Sequence, residues 1–224
     1  TEAFRAGTAE ERDLARALSQ DGVAVIDPRI PDFDAVAAEV VRETTKLLPG
    51  AGRLQDAWRR LPAVRRVATH PHILELLQFA YGRRPIPFQT LNFPVGTQQH
   101  LHTDSIHFSS IPERFMCGVW VALEDIGEDQ GPLVYYPGSH RLPFLDHVAL
   151  GIRASEQKAY EHYGAYEQLV QTTIAELGLE RRVLRLRKGQ ALVWAANLLH
   201  GGSPIQDPAR SRHSQVNHYF FEDC

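Results

Sequence analysis

Cysteine is almost absent. The 224 residues contain two, Cys117 inside an apolar run and Cys224 at the last position, which excludes a disulfide framework and a cysteine-based zinc motif. That scarcity, with a polar first stretch (TEAFRAGTAEERD) that does not read as a signal peptide, sets the expectation of a reducing, cytoplasmic setting. Apolar runs of the roughly 18 residues needed to cross a bilayer are missing, so no transmembrane helix is expected. Cationic excess is missing too: 24 Lys and Arg stand against 27 Asp and Glu, a formal charge of −3, which argues against a nucleic-acid footprint. Linkers, repeats and low-complexity tracts are also lacking. What is present, 43% hydrophobic and 23% charged residues, is ordinary for a soluble globular protein with a sizeable core. One domain over residues 1–224 is the expectation.

The chain changes character near Pro85. Before it, the spacing reads helical. Thr8 and Glu11 form a capping-box pattern, apolar residues from Phe33 to Leu48 keep helical spacing, and Pro71 suits the first turn of a helix carrying Ile73, Leu74, Leu76 and Leu77. A short strand is expected at VAVID, residues 23–27. After Pro85, β-branched and aromatic residues broken by Pro and Gly predict strands at 86–93, 98–104, 115–123, 132–136, 182–187, 190–195 and 213–221. Leu and Arg alternate through residues 183–187, the mark of a half-buried strand. An excursion at about 150–178, with Tyr160, Tyr163, Val170, Ile174 and Leu177 at helical spacing, is too periodic for a plain loop. Helices first and strands after predict an α+β, mainly β fold: a helical part over about 1–84, then a sandwich or jelly-roll core over about 85–224 with one helical insertion.

One stretch in that core invites a metal. QQHLHTDS, residues 98–105, holds His100, His102 and Asp104. In an extended chain all three side chains share a face, because strand side chains alternate with a period of two. Two histidines and one carboxylate on one face are a common holder of oxygen-activating ferrous iron and leave positions open for co-substrates. The candidate ligands are His102, Asp104 and, where an apolar strand meets a Gly-rich corner, His200 in ANLLHGGSP. Twelve residues on stands Arg212, suited to a bidentate grip on a dicarboxylate. Alternation puts Arg210 on the same face, so periodicity does not separate the two arginines.

The segments HTDSIHFSS, VWVALEDI, GPLVYYPGSH, LLHGGSP and RHSQVNHYFF, in that order from about Gln89 to the C-terminus, resemble the phytanoyl-CoA dioxygenase (PhyH-like) family of Fe(II)- and 2-oxoglutarate-dependent oxygenases. The resemblance implies a double-stranded β-helix (cupin-like jelly roll) with iron on His102, Asp104 and His200. It further implies that Arg212 pairs with the C5 carboxylate of 2-oxoglutarate, and that Trp120 and Gln89 lie near that co-substrate. The implied reaction uses dioxygen and 2-oxoglutarate to oxidise, as in hydroxylation, an unactivated C–H bond of a small-molecule metabolite, releasing succinate and carbon dioxide. No catalytic side chain beyond the metal ligands is required. Related halogenases carry a small residue where Asp104 stands, so halogenation is disfavoured.

Plainer readings stand beside these. Trp194 is expected in the core, His213 and His218 as structural residues, and His107 either bordering a substrate or solvated. His100, one pleat from His102 and about 7 Å away by strand rise, is expected outside a first coordination shell. The tyrosines of 160–166 are read either as a lid over a site or as one face of a helix packed on the sheet. Two rival functions remain open: a cupin-type metal enzyme without 2-oxoglutarate, which leaves Arg212 purposeless, and a non-catalytic metal-binding β-sandwich module. The sequence leaves open whether the chain is a monomer or a homo-oligomer.

Overall fold

The computed structural model describes residues 2–48, 52–146, 148–152 and 163–224. Its elements run α1 (Glu2–Ala6), α2 (Ala9–Gln20), β1 (Val23–Ile26), α3 (Phe33–Leu47), β2 (Leu54–Gln55), α4 (Pro62–Ala68), α5 (Pro71–Tyr81) and β3 (Pro85–Phe93). They continue with β4 (Met116–Ala122), β5 (Leu133–Tyr135), α6 (Tyr163–Glu176), β6 (Arg182–Val183), β7 (Ala191–Ala195), β8 (His200–Gly202) and β9 (Ser214–Phe221). The expected helix signals are realised. The Thr8 hydroxyl accepts the Glu11 N–H at 3.2 Å while the Glu11 carboxylate accepts the Thr8 N–H at 2.6 Å. Pro71 opens α5 and Gly82, at φ 68°, closes it in the left-handed region that glycine tolerates best.

Two antiparallel sheets form the core, one six-stranded in the order β1-β7-β4-β9-β3-β2 and one three-stranded in the order β6-β5-β8. Strand alternation divides the large sheet into two apolar layers. Cys117, Val119 and Val121 of β4, Ala191 and Val193 of β7, and Tyr219 and Phe221 of β9 pack against α2–α5. Trp120, Leu192, Trp194 and Val216 point the other way, towards Leu184, Leu186, Ile126 and Leu133 around the small sheet. The second layer also lines a cavity, through Trp120, Leu133, Trp194 and Val216.

The predicted strand over 98–104 does not form. It is reduced to one bridge, His102 to His200, followed by a 3₁₀ turn at Asp104–Ile106. Gln98 takes a left-handed φ of 50°, and β8, only three residues long, has too little edge to pair further. The predicted strand over 182–187 pairs at Arg182–Val183 and again through a bridge between Leu186 and Ile126. Its alternation nonetheless holds, with Leu184 and Leu186 buried and the Arg185 side chain 68% exposed. In the insertion, Tyr163, Val170 and Ile174 lie on α6 as expected, whereas Tyr160 lies outside the described residues.

The two kinds of helix support differ in size. Leu77, fully buried between α5 and the sheet, leaves a cavity when truncated, so Leu77→Ala should lower the unfolding free energy by about 2–5 kcal/mol. Thr8→Ala, which removes only the exposed cap, should cost about 1 kcal/mol. Urea denaturation of the two variants measures both; equal effects would contradict this ranking.

Candidate metal centre

The site is assembled by backbone pairing. His102 and His200 exchange two hydrogen bonds, each N–H donating to the other's carbonyl at 2.9 Å. The loop can come so close because β8 continues as Gly201–Gly202: a Cβ on Gly201 would meet the Gln99 carbonyl oxygen at 2.9 Å, and one on Gly202 the Gln98 nitrogen at 2.8 Å. The pairing puts the imidazoles side by side, centroids 4.5 Å apart. The turn after Thr103 then swings Asp104 between them, its Oδ1 3.8 Å from Nε2 of both His102 and His200. Ligand atoms from the three buried side chains all lie within 4.8 Å of one another.

Hydrogen bonding fixes which nitrogen each histidine offers. Nδ1 of His102 lies 2.8 Å from the His100 carbonyl and Nδ1 of His200 lies 3.0 Å from the Leu198 carbonyl. A carbonyl oxygen only accepts, so each Nδ1 carries the proton and Nε2 is the nitrogen turned to the centre, where the Gln99 amide lies 3.2 Å from that of His102. Burial, reinforced by His200, pushes the His102 pKa down to about 3, so its ring is neutral near pH 7. Burial alone would raise the Asp104 carboxyl, but His200, His218, His102 and the Trp194 hydrogen bond outweigh it and the pKa is lowered. Neutral imidazole facing ionised carboxylate is the donor set a divalent metal takes.

The centre opens into a cavity of about 630 Å³ that also receives Trp120, Gln89 and Arg212. The approach to β9 from 204 to 213 is not a strand, so alternation does not govern the two arginines there. Arg212 is 3% exposed and donates to the Gly131 carbonyl at 2.8 Å, with its guanidinium 5.3 Å from the Trp120 ring centroid. Arg210 stays at the surface, 3.8 Å from Asp129. Burial lowers the Arg212 pKa to about 10, which leaves it charged at pH 7. Among the described residues it forms no ion pair, and its Nε, buried, has no partner. A buried, charged, incompletely satisfied guanidinium is a receptor for an anion.

Two residues expected only as structure belong to this site. Trp194 donates its indole N–H to Asp104 Oδ2 at 2.8 Å. His218 places Nε2 3.7 Å from the same oxygen and Nδ1 2.9 Å from Gln89 Oε1. The sequence carries a signal for both: each shares its strand's inward parity with a neighbour in the second apolar layer, Leu192 and Val216. His107 lies at the cavity wall, its ring 6.2 Å from that of His102. His100 sits at the cavity rim with its side chain 70% exposed, 3.0 Å from Glu167. From the insertion, the Tyr166 hydroxyl accepts the Thr103 N–H at 2.8 Å, bracing the backbone between two candidate ligands.

The family model described as phytanoyl-CoA dioxygenase (PhyH) matches residues 16–214. The chain belongs to that family. It is therefore an enzyme, an oxidoreductase of the dioxygenase class. Among curated proteins none matches the chain in sequence. Among solved structures it is similar to the epimerase SnoN in complex with Fe3+, alpha ketoglutarate and nogalamycin RO, at 21% identity and TM-score 0.72 over 95% of this chain and 84% of that one. EctD from S. alaskensis with 2-oxoglutarate and 5-hydroxyectoine gives 17% identity and TM-score 0.69 over 96% and 76%. The carbocyclase SnoK from nogalamycin biosynthesis gives 16% and 0.70 over 98% and 86%. At these identities the likeness speaks for the fold, a family member's double-stranded β-helix. No helix among the described residues is long and apolar enough to cross a membrane.

The glycine corner gives a test of how the centre is held. In Gly201→Ala the added Cβ has backbone on the far side, Gln99 O at 2.9 Å and Leu101 Cα at 3.2 Å, so the loop bearing His102 must retreat. Divalent-metal affinity, read by titration with Co(II), should fall about tenfold or more while far-ultraviolet circular dichroism is retained. Unchanged affinity would mean that the His102–His200 pairing does not set the centre.

Proposed function

We propose that this chain is a non-haem Fe(II)- and 2-oxoglutarate-dependent dioxygenase that hydroxylates an unactivated C–H bond of a small-molecule metabolite. The observation that carries the reading is one cavity holding a buried two-histidine, one-carboxylate cluster together with a buried arginine that has no carboxylate partner among the described residues. Either feature alone fits other functions. A cupin-type metal enzyme needs no Arg212, and a non-catalytic metal-binding module needs neither Arg212 nor a cavity of this size.

In this reading His102, Asp104 and His200 hold the iron, Arg212 grips the distal carboxylate of 2-oxoglutarate, and Trp120 and Gln89 line its berth. Bound iron supplies the activation of dioxygen that couples conversion of 2-oxoglutarate to succinate and carbon dioxide with oxidation of the substrate. The protein's own part is placement and exclusion. Arg212 stays charged inside the cavity and directs a dicarboxylate's far end against the Trp120 wall. His102 and Asp104 keep the protonation states a metal needs. Leu91, Phe93 and Val216 keep the inner end apolar. Towards the substrate the walls are Gln99, His100, His107, Phe108, Tyr163 and Glu167, mainly polar and aromatic, which supports a compact polar substrate over a long acyl chain. Free Cys117 and Cys224 suit a cytoplasmic setting.

Supplied with Fe(II), ascorbate and 2-oxoglutarate, the protein should release succinate, faster with an accepted substrate, and Asp104→Ala should abolish it. Arg212→Ala should raise KM for 2-oxoglutarate by about 30-fold or more, the loss of about 2 kcal/mol from a buried charge-assisted pair. Succinate formation untouched by Asp104→Ala would sink the assignment, and an unchanged KM in Arg212→Ala would favour the cupin-type alternative.

A further inference from the structure

We infer that Trp194 is a positioning residue of the metal centre, seated by a slot at Gly118 so that its indole N–H holds one oxygen of Asp104 and leaves the other to the metal. The inference rests on the iron-dependent reading above, and it concerns residues that reading does not use.

A carboxylate offers two equivalent oxygens, and its last torsion is soft. Here they are made unequal. Oδ1 lies 3.8 Å from Nε2 of both His102 and His200, while Oδ2 lies 2.8 Å from Trp194 Nε1 inside the core. Indole N–H is a donor only, so it favours an ionised oxygen at that place. To swing both oxygens onto a metal, Asp104 would have to abandon a buried donor, which costs about 1–3 kcal/mol. The carboxylate would thereby be held to offer a bound metal one oxygen, which would leave room there for a chelating co-substrate and for dioxygen.

The slot explains an otherwise costly glycine. β4 is buried along its whole length, and Gly118 interrupts its run of apolar side chains; glycine inside a strand is destabilising. Gly118 is in register with Trp194 on one side and His218 on the other. A Cβ there would lie 2.2 Å from Trp194 Cζ2 and 2.3 Å from Cε2, inside the indole itself. Only a hydrogen at this position lets the ring lie across β4 and reach Asp104. The ring is walled by His218, perpendicular at 6.1 Å, and by His200 at 5.3 Å, so it has one place to go.

Co(II) is the probe, because its visible bands report ligand number as well as occupancy. The unmodified protein should bind Co(II) and His102→Ala should not; absence of binding in the unmodified protein refutes the metal reading itself. Given binding, Trp194→Phe should weaken it by about 10- to 100-fold and alter the visible bands, the range for loss of a partner to a metal ligand. Gly118→Ala should do the same, and the Gly118→Ala/Trp194→Phe double variant should lose less than the sum, because both changes break one contact. Should Trp194→Phe unfold, the benzothiophene isostere of tryptophan placed at 194 keeps the shape and deletes only the N–H. Affinity within about twofold of the unmodified protein and unchanged bands in a folded variant lacking the N–H would overturn the inference.

Discussion

The candidate metal centre hangs on two backbone hydrogen bonds, those exchanged by His102 and His200. They join a loop to a three-residue strand that lies almost a hundred positions away in the chain. No side chain is used in the joint, so both imidazoles are free to turn inward. The same pairing places the two Nδ1–H groups on nearby carbonyls, at His100 and Leu198. Geometry and tautomer are therefore set together. Asp104 follows because the chain turns immediately after the bridge.

The second organising fact is electrostatic. One cavity contains a buried cation, Arg212, and a buried anion, Asp104, that do not pair with each other. Buried charges that fail to pair are costly, and here each is compensated only in part: Arg212 by carbonyls, Asp104 by an indole and by imidazoles. The fold keeps them apart, Asp104 on the turn after the His102–His200 bridge and Arg212 in the approach to β9, and the remaining compensation is left to what binds. Such a site is less stable empty than full, and the helices stacked on the opposite face supply the apolar burial that holds it open.

The architecture was legible because period-two and helical spacing are local signals. β3, β4, β5, β7 and β9 fall close to where the alternation put them, and the Thr8 and Pro71 signals start helices as expected. The candidate ligands were legible from residue type and spacing. What failed was the route to them: 98–104 contains residues that suit a strand, but a strand needs an edge, and β8 is too short to provide one. His100 accordingly leaves the face it was assigned and meets Glu167. Trp194 and His218 were read as packing because composition cannot say whether a polar atom on a buried ring finds a carboxylate; that depends on the registers of β7 and β9 against β4.

The insertion helix has a consequence for how such an enzyme diversifies. Within five residues α6 carries Tyr163 and Glu167 on the cavity wall and Tyr166, fully buried, against the backbone of Thr103. One turn of helix thus holds a strut for the loop and two side chains that face the cavity. Position 167 can vary more freely than 163, whose ring lies 5.4 Å from that of Tyr166, so selectivity can drift at 167 while the metal-bearing loop is kept in register. A shift of the whole helix, by contrast, would pull on the loop between His102 and Asp104, so new selectivity should arise by substitution on α6 rather than by its displacement.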